Sequence, residues 1–261
     1  MKSVEVDQVI YYMFENLIEK GVSHAIFSRH GGVSPEPWKS LNMGATVGDD
    51  LERVKENRNR AFTILGRNTE SIFDVWLVHS SDVICTNSPR PSNALHQKAD
   101  AIITDKSDVT LFMRFADCVP IMLYDQRLKV IGLVHAGWLG TINKVVEKAI
   151  DQMKLVYHCN PGDIIAGIGP SIGPDHYEVG SNVIEGAEKS FGRMAGEILR
   201  SINGSVHFDL WEANRLLLLR SGVRNIELSG ICTACHIDDW FSHRGEYGKT
   251  GRFGAMIGLN I

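Results

Sequence analysis

The sequence lacks the features that mark membrane proteins and disulfide-rich secreted proteins. No apolar run reaches the roughly 18 residues of a membrane span. Five cysteines are an odd number at ordinary density, which argues against a disulfide framework and for reduced thiols. Segment 1–7 is mixed and acidic rather than apolar, so we expect no signal peptide. These absences predict a cytoplasmic protein with no membrane partner.

The sequence also lacks any tract of basic residues. Lysine and arginine are scattered, and the net charge is -4, so we expect no nucleic-acid partner. Hydrophobic residues make up 44% of the chain and charged residues 22%, which is the ordinary balance of a soluble globular protein. A chain of 261 residues with this balance can bury a substantial core without cross-links.

Apolar runs bounded by turn residues predict more strands than helices. Amphipathic helices are expected after Asp50, over 141–156 and after Asp209, with Leu51 among the apolar positions of the first. We therefore predict an α+β fold, a mixed β-sheet sandwich covered by helices, with residues 1–261 forming one compact domain. The predicted strands are 22–28, 72–79, 82–86, 101–104, 110–115, 121–124, 130–135, 164–168, 226–229 and 254–259.

Three side chains that can bind a metal or act as nucleophiles stand where predicted strands meet turns. His79 closes one apolar run, Cys118 lies between two others, and His135 closes a fourth. Catalytic zinc takes three protein ligands and leaves one position open, and both imidazole nitrogen and thiolate sulfur suit it. Asp117 adds a carboxylate beside the thiol, and Gly137 allows close backbone approach after His135. The spacing alone favours a buried structural cysteine with two hydrogen-bonded histidines, and these flanking residues shift the balance toward an open metal site.

The same three residues support two other chemistries. Cys118 as nucleophile, with His135 or His79 as its base, would make an amidohydrolase that needs no metal. Two histidines and a cysteine are also the ligands of a blue-copper site. A multicopper oxidase needs many more histidines, and among the ten present there is no His-x-His pair. The residues alone leave a zinc site, a copper site and a metal-free Cys-His site open.

A further cysteine pair is less informative at this level. Cys232 and Cys235, followed by His236, match the spacing of covalent haem attachment or of half a zinc site. Covalent haem attachment follows export, for which we expect no signal, and no second cysteine pair completes a zinc knuckle. We therefore interpret this segment as a loop whose His236 could line a pocket.

Anion-binding side chains occur near several predicted turns. Arg29 follows the strand 22–28, and Arg244 lies in the C-terminal part of the chain. The guanidinium fork matches the oxygens of phosphate, so both arginines are candidates for holding an anion. Glu178, in a loop after 164–168, is a candidate for proton transfer if that loop folds over the site.

Taken together, these segments resemble the YfiH family of purine nucleoside phosphorylases, formerly described as multicopper polyphenol oxidases or laccase-domain proteins. The match runs nearly end to end, and its two central motifs are the most specific. The matching segments are Ser28-Arg29-His30-Gly31-Gly32-Val33-Ser34, Leu41-Asn42, Val78-His79, Ala99-Asp100-Ala101, Ala116-Asp117-Cys118-Val119-Pro120, His135-Ala136-Gly137-Trp138, Gly169-Pro170-Ser171-Ile172, Tyr177-Glu178-Val179-Gly180, Cys232-Thr233, Phe241-Ser242 and Gly251-Arg252.

The resemblance implies a fold, a metal site and an activity. The fold is a sandwich similar to that of bacterial toxin-type cysteine deamidases, and the metal, zinc or sometimes copper, is held by His79, Cys118 and His135. The activity is phosphorolysis of adenosine, inosine and 5'-methylthioadenosine, with adenosine deamination as a second activity. The partners implied are therefore a purine nucleoside and phosphate, and the protein is expected to be a monomer or a homodimer.

On this basis the candidate site residues fall into two groups. The catalytic and metal-binding group is Cys118, His79, His135 and Asp117, and Asp117 is the expected partner that orients the histidines. The substrate-binding group is Arg29, Asn42, Glu178 and Arg244.

Three positions depart from the family pattern. Leu77 stands where glutamine is common, and Leu139 stands where the central histidine motif usually continues with arginine. The usual arginine pair after Phe-Ser is reduced to Arg244, because Gly245 stands in the second place. Two of these changes remove an arginine near a phosphate-using site, which predicts weaker affinity for phosphate.

Overall fold

The computed structural model describes residues 1–260 as two six-stranded sheets with helices on their outer faces. The strands are β1 Lys2–Val6, β2 Val9–Met13, β3 Ser23–Phe27, β4 Ile72–Phe73, β5 Val83–Cys85, β6 Ala101–Thr104, β7 Thr110–Phe115, β8 Val119–Asp125, β9 Val130–Ala136, β10 Ile164–Ile168, β11 Leu199–Ile202, β12 Ser205–Phe208, β13 Asn225–Leu228 and β14 Phe253–Gly258. The helices are α1 Glu15–Ile18, α2 Leu51–Ile64, α3 Trp138–Ile142, α4 Val145–Tyr157, α5 Ser181–Phe191, α6 Ala195–Ile198 and α7 Leu210–Arg220.

Both large sheets mix parallel and antiparallel pairs. The first has the order β1-β2-β3-β14-β7-β4, and only its β7–β4 edge is parallel. The second has the order β13-β10-β8-β9-β6-β5 and is parallel at both edges. Strands β11 and β12 form a separate hairpin. The predicted α+β fold, a mixed sandwich covered by helices, is confirmed.

The core lies between the sheets and under the helices. Side chains such as Ile26, Met113 and Leu133 fill the space between the two sheets. Every residue of β8 and β9 is buried, because these strands have the first sheet on one face and helices on the other. Their nearly continuous apolar sequence follows from this double burial. Cys118 and His135 therefore stand directly before and within strands that are buried on both faces.

Helices cover the outer faces through single apolar stripes. In α4, Val146, Ala149, Ile150 and Met153 recur at helical spacing and pack on the second sheet. Helix α2 covers the first sheet through Ala61 and Phe62. Among residues 1–260 no helix has the length and apolar character that a membrane crossing requires.

Two predicted helix starts are present as expected. The Asp50 carboxylate accepts hydrogen bonds from the backbone N–H groups of Glu52 and Arg53, and Asp209 caps α7 by accepting from Glu212 N–H. Leu51 is a correction, because it is 56% exposed in the first turn of α2 rather than part of its buried face.

Two predicted elements are interrupted. The expected strand 72–79 ends at Phe73, and His79 adopts a left-handed backbone conformation with φ of 57°. His79 therefore lies in a loop and not at a strand end. The expected helix 141–156 is two helices, α3 and α4, since Lys144 between them is also left-handed, with φ of 62°.

Candidate metal-binding active site

His79, Cys118 and His135 meet at one end of the second sheet. Cys118 lies in the turn between β7 and β8, and His135 is in β9, which pairs antiparallel with β8 so that Pro120 lies opposite His135. The loop before β5 brings His79 to the same place. One ligand atom from each side chain lies within 4.8 Å of the others, and the imidazole centroids are 5.1 Å apart. The spacing alone did not show this convergence.

Gly137 makes room for the three side chains. A Cβ at this position would lie 2.8 Å from His79 Nδ1 and 2.9 Å from Cys118 Sγ, closer than real Cβ contacts allow. A glycine is therefore required directly after β9. The space that it leaves is bordered by an imidazole nitrogen and a thiol sulfur, which is the donor chemistry that zinc and copper prefer. The residues present fit a bound metal ion.

Asp100 fixes the orientation of His135. Its buried carboxylate lies 2.9 Å from His135 Nδ1 and accepts hydrogen bonds from the backbone N–H groups of His79 and Ser80. With Nδ1–H donated to Asp100, Nε2 of His135 carries the lone pair that binds a metal. Asp117 was expected in this role. The structure gives it to Asp100, since the carboxylate of Asp117 turns away toward other donors.

The cysteine and histidine perturb each other's ionisation. Burial raises the pKa of the Cys118 thiol, but the adjacent His135 and His79 outweigh burial and lower this pKa to about 6. Burial lowers the pKa of His135, but Cys118 and Asp100 outweigh it and raise this pKa to about 9. Both shifts favour a thiolate beside an imidazolium, and a cation can take the place of the imidazolium proton.

The cluster opens into a cavity of about 520 Å³, a size typical of sites for small molecules. Four arginines face the cavity, whereas Asp117 is the one carboxylate among its lining residues. The cavity therefore favours an anion. The lining residues are Gly44, Ala45, Thr46, Arg58, Trp76, Leu77, His79, His96, Arg114, Ala116, Asp117, Cys118, His135, Tyr177, His243, Arg244 and Arg252.

Asp117 lines the cavity but is fully engaged with its neighbours. Its carboxylate accepts hydrogen bonds from the hydroxyls of Thr233 and Ser242, both at 2.7 Å, and from the backbone N–H of Arg244 at 2.6 Å. The residue also turns the chain before Cys118, with a left-handed φ of 80°. These contacts make Asp117 a residue that positions Cys118 and Arg244.

Of the expected substrate-binding residues, Arg244 is the one that lines the cavity. Its guanidinium lies 5.2 Å from the ring centroid of Tyr177 and donates to the carbonyls of His176 and Glu178. The Glu178 side chain is exposed and does not line the cavity.

Arg29 and Asn42 lie outside the cavity and support its walls. The Arg29 guanidinium donates to the Lys39 carbonyl, pairs with Glu246 at 3.1 Å, and stacks on Phe241. Asn42 is completely buried, and its side-chain oxygen accepts from the backbone N–H of Gly44 and of Arg252. Both side chains form hydrogen bonds that hold neighbouring loops together, and neither lines the cavity.

Sequence reasoning missed several cationic side chains of the cavity. Arg58, in the middle of α2, reaches the Met43 carbonyl, and burial together with Arg114 lowers its pKa to about 10. Arg114 is the one partly exposed residue of β7 and pairs with Asp74 at 2.7 Å. A charged residue inside an otherwise apolar strand was the signal available for Arg114, whereas Arg58 looks like an ordinary exposed helix residue.

The departures from the family pattern fall in two places. Leu77 lines the cavity, whereas Gly245, directly after Arg244, does not. Leu139, the second residue of α3, is 36% exposed and does not line it. The arginine missing at 139 therefore leaves the cationic lining unchanged.

The fold and the site define an α+β sandwich protein with a two-histidine, one-cysteine cluster in a cationic cavity. The family model described as multi-copper polyphenol oxidoreductase laccase matches residues 23–260, and the chain belongs to this family.

Named relatives come from several bacteria. Purine nucleoside phosphorylase YlmD of Geobacillus stearothermophilus is 36% identical over 247 residues, which cover 91% of this chain and 90% of the relative. Purine nucleoside phosphorylase YfiH of Escherichia coli is 32% identical, covering 92% and 95%. The crystal structure of the Geobacillus stearothermophilus YlmD protein superposes with a TM-score of 0.92 at 34% identity, over 99% of this chain and 98% of the other. The predicted resemblance to the YfiH family is confirmed.

Proposed function

We propose that this protein is a metal-dependent purine nucleoside phosphorylase. Its substrates would be adenosine, inosine and 5'-methylthioadenosine, with adenosine deamination as a side activity. The name carried by the relatives supports the reaction class. We further propose that the chain works as a single catalytic domain in the cytoplasm, as a monomer or homodimer, with zinc as the resident metal and no nucleic-acid partner.

The observation that carries the proposal is the meeting of the metal-competent cluster and the arginines in one cavity. Phosphorolysis needs phosphate held against the anomeric carbon of the ribose while the purine leaves. Arg244 and Arg252 line the cavity that contains Cys118, so an anion bound there would lie in the same space as the cluster. Trp76 and Tyr177, also in the lining, offer aromatic faces for the purine ring.

The contacts of the side chains indicate which of them would hold the metal and which would position its ligands. Zinc held by His79, Cys118 and His135 would supply Lewis-acid stabilisation of developing negative charge. Asp100 keeps His135 in the metal-binding orientation, and Asp117 anchors the backbone of Arg244.

The departing purine needs a proton, and the cavity wall contains two histidines that can carry one. These are His96 and His243. Glu178 was expected to assist here, but its position outside the cavity favours the two histidines.

The test is incubation of purified protein with adenosine, with and without phosphate, followed by separation of the products and mass analysis. We expect adenine and ribose 1-phosphate only with phosphate, and a small amount of inosine without it. Cys118→Ala should lower turnover by at least about 10³-fold, as loss of a central catalytic group does. Cys85→Ala is the matched control, since Cys85 belongs to neither cluster of possible ligands. Full turnover by Cys118→Ala would refute the proposal.

A metal-free amidohydrolase is the second candidate, because Cys118, His135 and Asp100 also have the contacts of a nucleophile, base and orienting carboxylate. A chelator and a thiol alkylator separate the two. A phosphorylase should lose activity with the chelator and regain it with zinc, whereas an amidohydrolase should lose activity only with the alkylator.

A copper polyphenol oxidase ranks lower. In the part of the chain that the structure describes, the two clusters of possible ligands contain three histidines between them, too few for a multicopper centre.

A further inference from the structure

A second group of metal-competent side chains lies on two loops outside the cavity. Asp175 and His176 follow β10, and Cys232 and Cys235 follow β13. One ligand atom from each side chain lies within 4.8 Å of the other three, and none of the four residues lines the cavity. The cysteine spacing alone provides two of the four ligands of a zinc site. The fold places Asp175 and His176 where they can provide the other two.

The distances are within a few tenths of an ångström of those of a tetrahedral ligand set. Cys235 Sγ lies 3.0 Å from Asp175 Oδ2 and 3.4 Å from His176 Nδ1, and the second thiol, Cys232 Sγ, lies 3.8 Å from the same nitrogen. The Asp175 oxygen and His176 Nδ1 are 3.0 Å apart. Zinc bonds of ~2.3 Å to sulfur and ~2.0 Å to nitrogen or oxygen would separate tetrahedral ligands by roughly 3.3–3.8 Å. Shifts of a few tenths of an ångström would complete the geometry.

Gly173 prepares this arrangement. Its backbone N–H donates to Cys232 Sγ at 3.2 Å, a contact that stabilises a thiolate. A Cβ at Gly173 would lie 2.6 Å from Asp175 Oδ1 and 3.1 Å from the Cβ of Cys232. The loop after β10 can approach the loop after β13 this closely because Gly173 has no side chain. The cluster therefore rests on a local backbone design as well as on four suitable side chains.

We propose that these four side chains bind a second zinc ion, separate from the cluster at Cys118. Two thiolates favour zinc over magnesium or calcium, and a complete set of four protein ligands leaves no open position for substrate. The role of the ion is therefore structural.

The proposed ion would fasten two walls of the active cavity. His176 precedes Tyr177, which lines the cavity, and its carbonyl accepts from the Arg244 guanidinium. Cys232 precedes Thr233, whose hydroxyl donates to Asp117 beside Cys118. Joining the two loops through an ion reduces the freedom of both walls without contacting substrate.

The test measures zinc content rather than activity, so it is independent of the proposed function. Full-length Cys118→Ala, in which the first cluster is broken, is purified under reducing conditions, exposed to zinc and desalted. We expect about one zinc ion per chain by mass spectrometry, since structural sites hold zinc tightly. Adding Cys235→Ser should remove it, whereas adding Cys85→Ser should not.

Two further measurements test the same four ligands by a second signal and by a second variant. Cobalt in place of zinc should give a thiolate-to-metal absorption band in Cys118→Ala and lose it with Cys235→Ser. If that double variant does not fold, Cys118→Ala with Asp175→Asn should fold and show zinc affinity lowered by at least about tenfold. A folded Cys118→Ala protein with free thiols that binds no zinc, or equal binding with and without Cys235, would overturn the proposal.

Discussion

The two clusters of metal-competent side chains differ in ligand number and in what lies beside them. The cluster at Cys118 has three ligands and opens into a cavity lined by arginines. The cluster at Cys235 has four ligands on surface loops and lines no part of that cavity. Three ligands with an open position are typical of catalytic metal sites, and four are typical of structural ones. If both proposals hold, residues of the same chemical types therefore have opposite roles in the two clusters.

The largest difference is expected when the glycine beside each cluster gains a Cβ. Gly137→Ala places that carbon against both His79 and Cys118, so zinc affinity at the first cluster and turnover should each fall by about 10–100-fold. Gly173→Ala should weaken only the second cluster, and by less, because its closest contact is the flexible end of Asp175. Competition with a chromophoric chelator measures both affinities.

The control for both changes is Gly162→Ala, which has no atom nearer than 3.7 Å to the added carbon and should leave both affinities unchanged. Normal turnover and zinc binding in Gly137→Ala would contradict the assignment of the first cluster.

The two clusters also differ in how far the sequence could reveal them. The central strands were predictable because β8 and β9 are continuous apolar runs buried on both faces. Two residues of the first cluster, Cys118 and His135, stand directly before β8 and within β9, so their chemistry was visible in the sequence, whereas His79 lies in a loop. His176 and Cys232 are 56 residues apart on loops, and only the parallel pairing of β10 with β13 brings them together.

Other parts of the molecule carried weaker signals. Strand β1 is largely exposed and contains charged residues, so its pattern did not stand out. Arg29 and Asn42 have the residue types of anion and substrate ligands, yet they donate to the Lys39 carbonyl and to the Asp49 carboxylate, respectively. Residue type and motif could not show which polar groups remain free, because that depends on the tertiary contacts of each loop.

Two carboxylates beside the first cluster should respond differently to neutralisation. Asp100→Asn removes the charge that orients His135, and we expect zinc affinity to fall by about 10–100-fold. Asp117→Asn disturbs the hydrogen bonds from Thr233, Ser242 and Arg244. It should lower the free energy of unfolding by about 1–3 kcal/mol with a smaller effect on zinc affinity.

Chelator competition and thermal unfolding on the same samples separate these effects. Equal losses of zinc affinity in the two variants would show that Asp100 has no special part in orienting His135.

The smallest expected effect concerns a departure from the family pattern. It compares a substitution outside the cavity lining with one in the lining. Leu139→Arg restores a residue common in the family, but position 139 does not line the cavity, so KM for phosphate should change by less than about twofold. His243→Arg, a change at a lining residue that is not such a departure, places a guanidinium beside Arg244 and should lower that KM several-fold, since a second fork can bind the same anion. Steady-state kinetics with varied phosphate and fixed adenosine measure both. A large gain from Leu139→Arg alone would mean that phosphate is held near α3 rather than by the arginines of the cavity, because an exposed charge at 139 can act strongly only on an anion that it contacts.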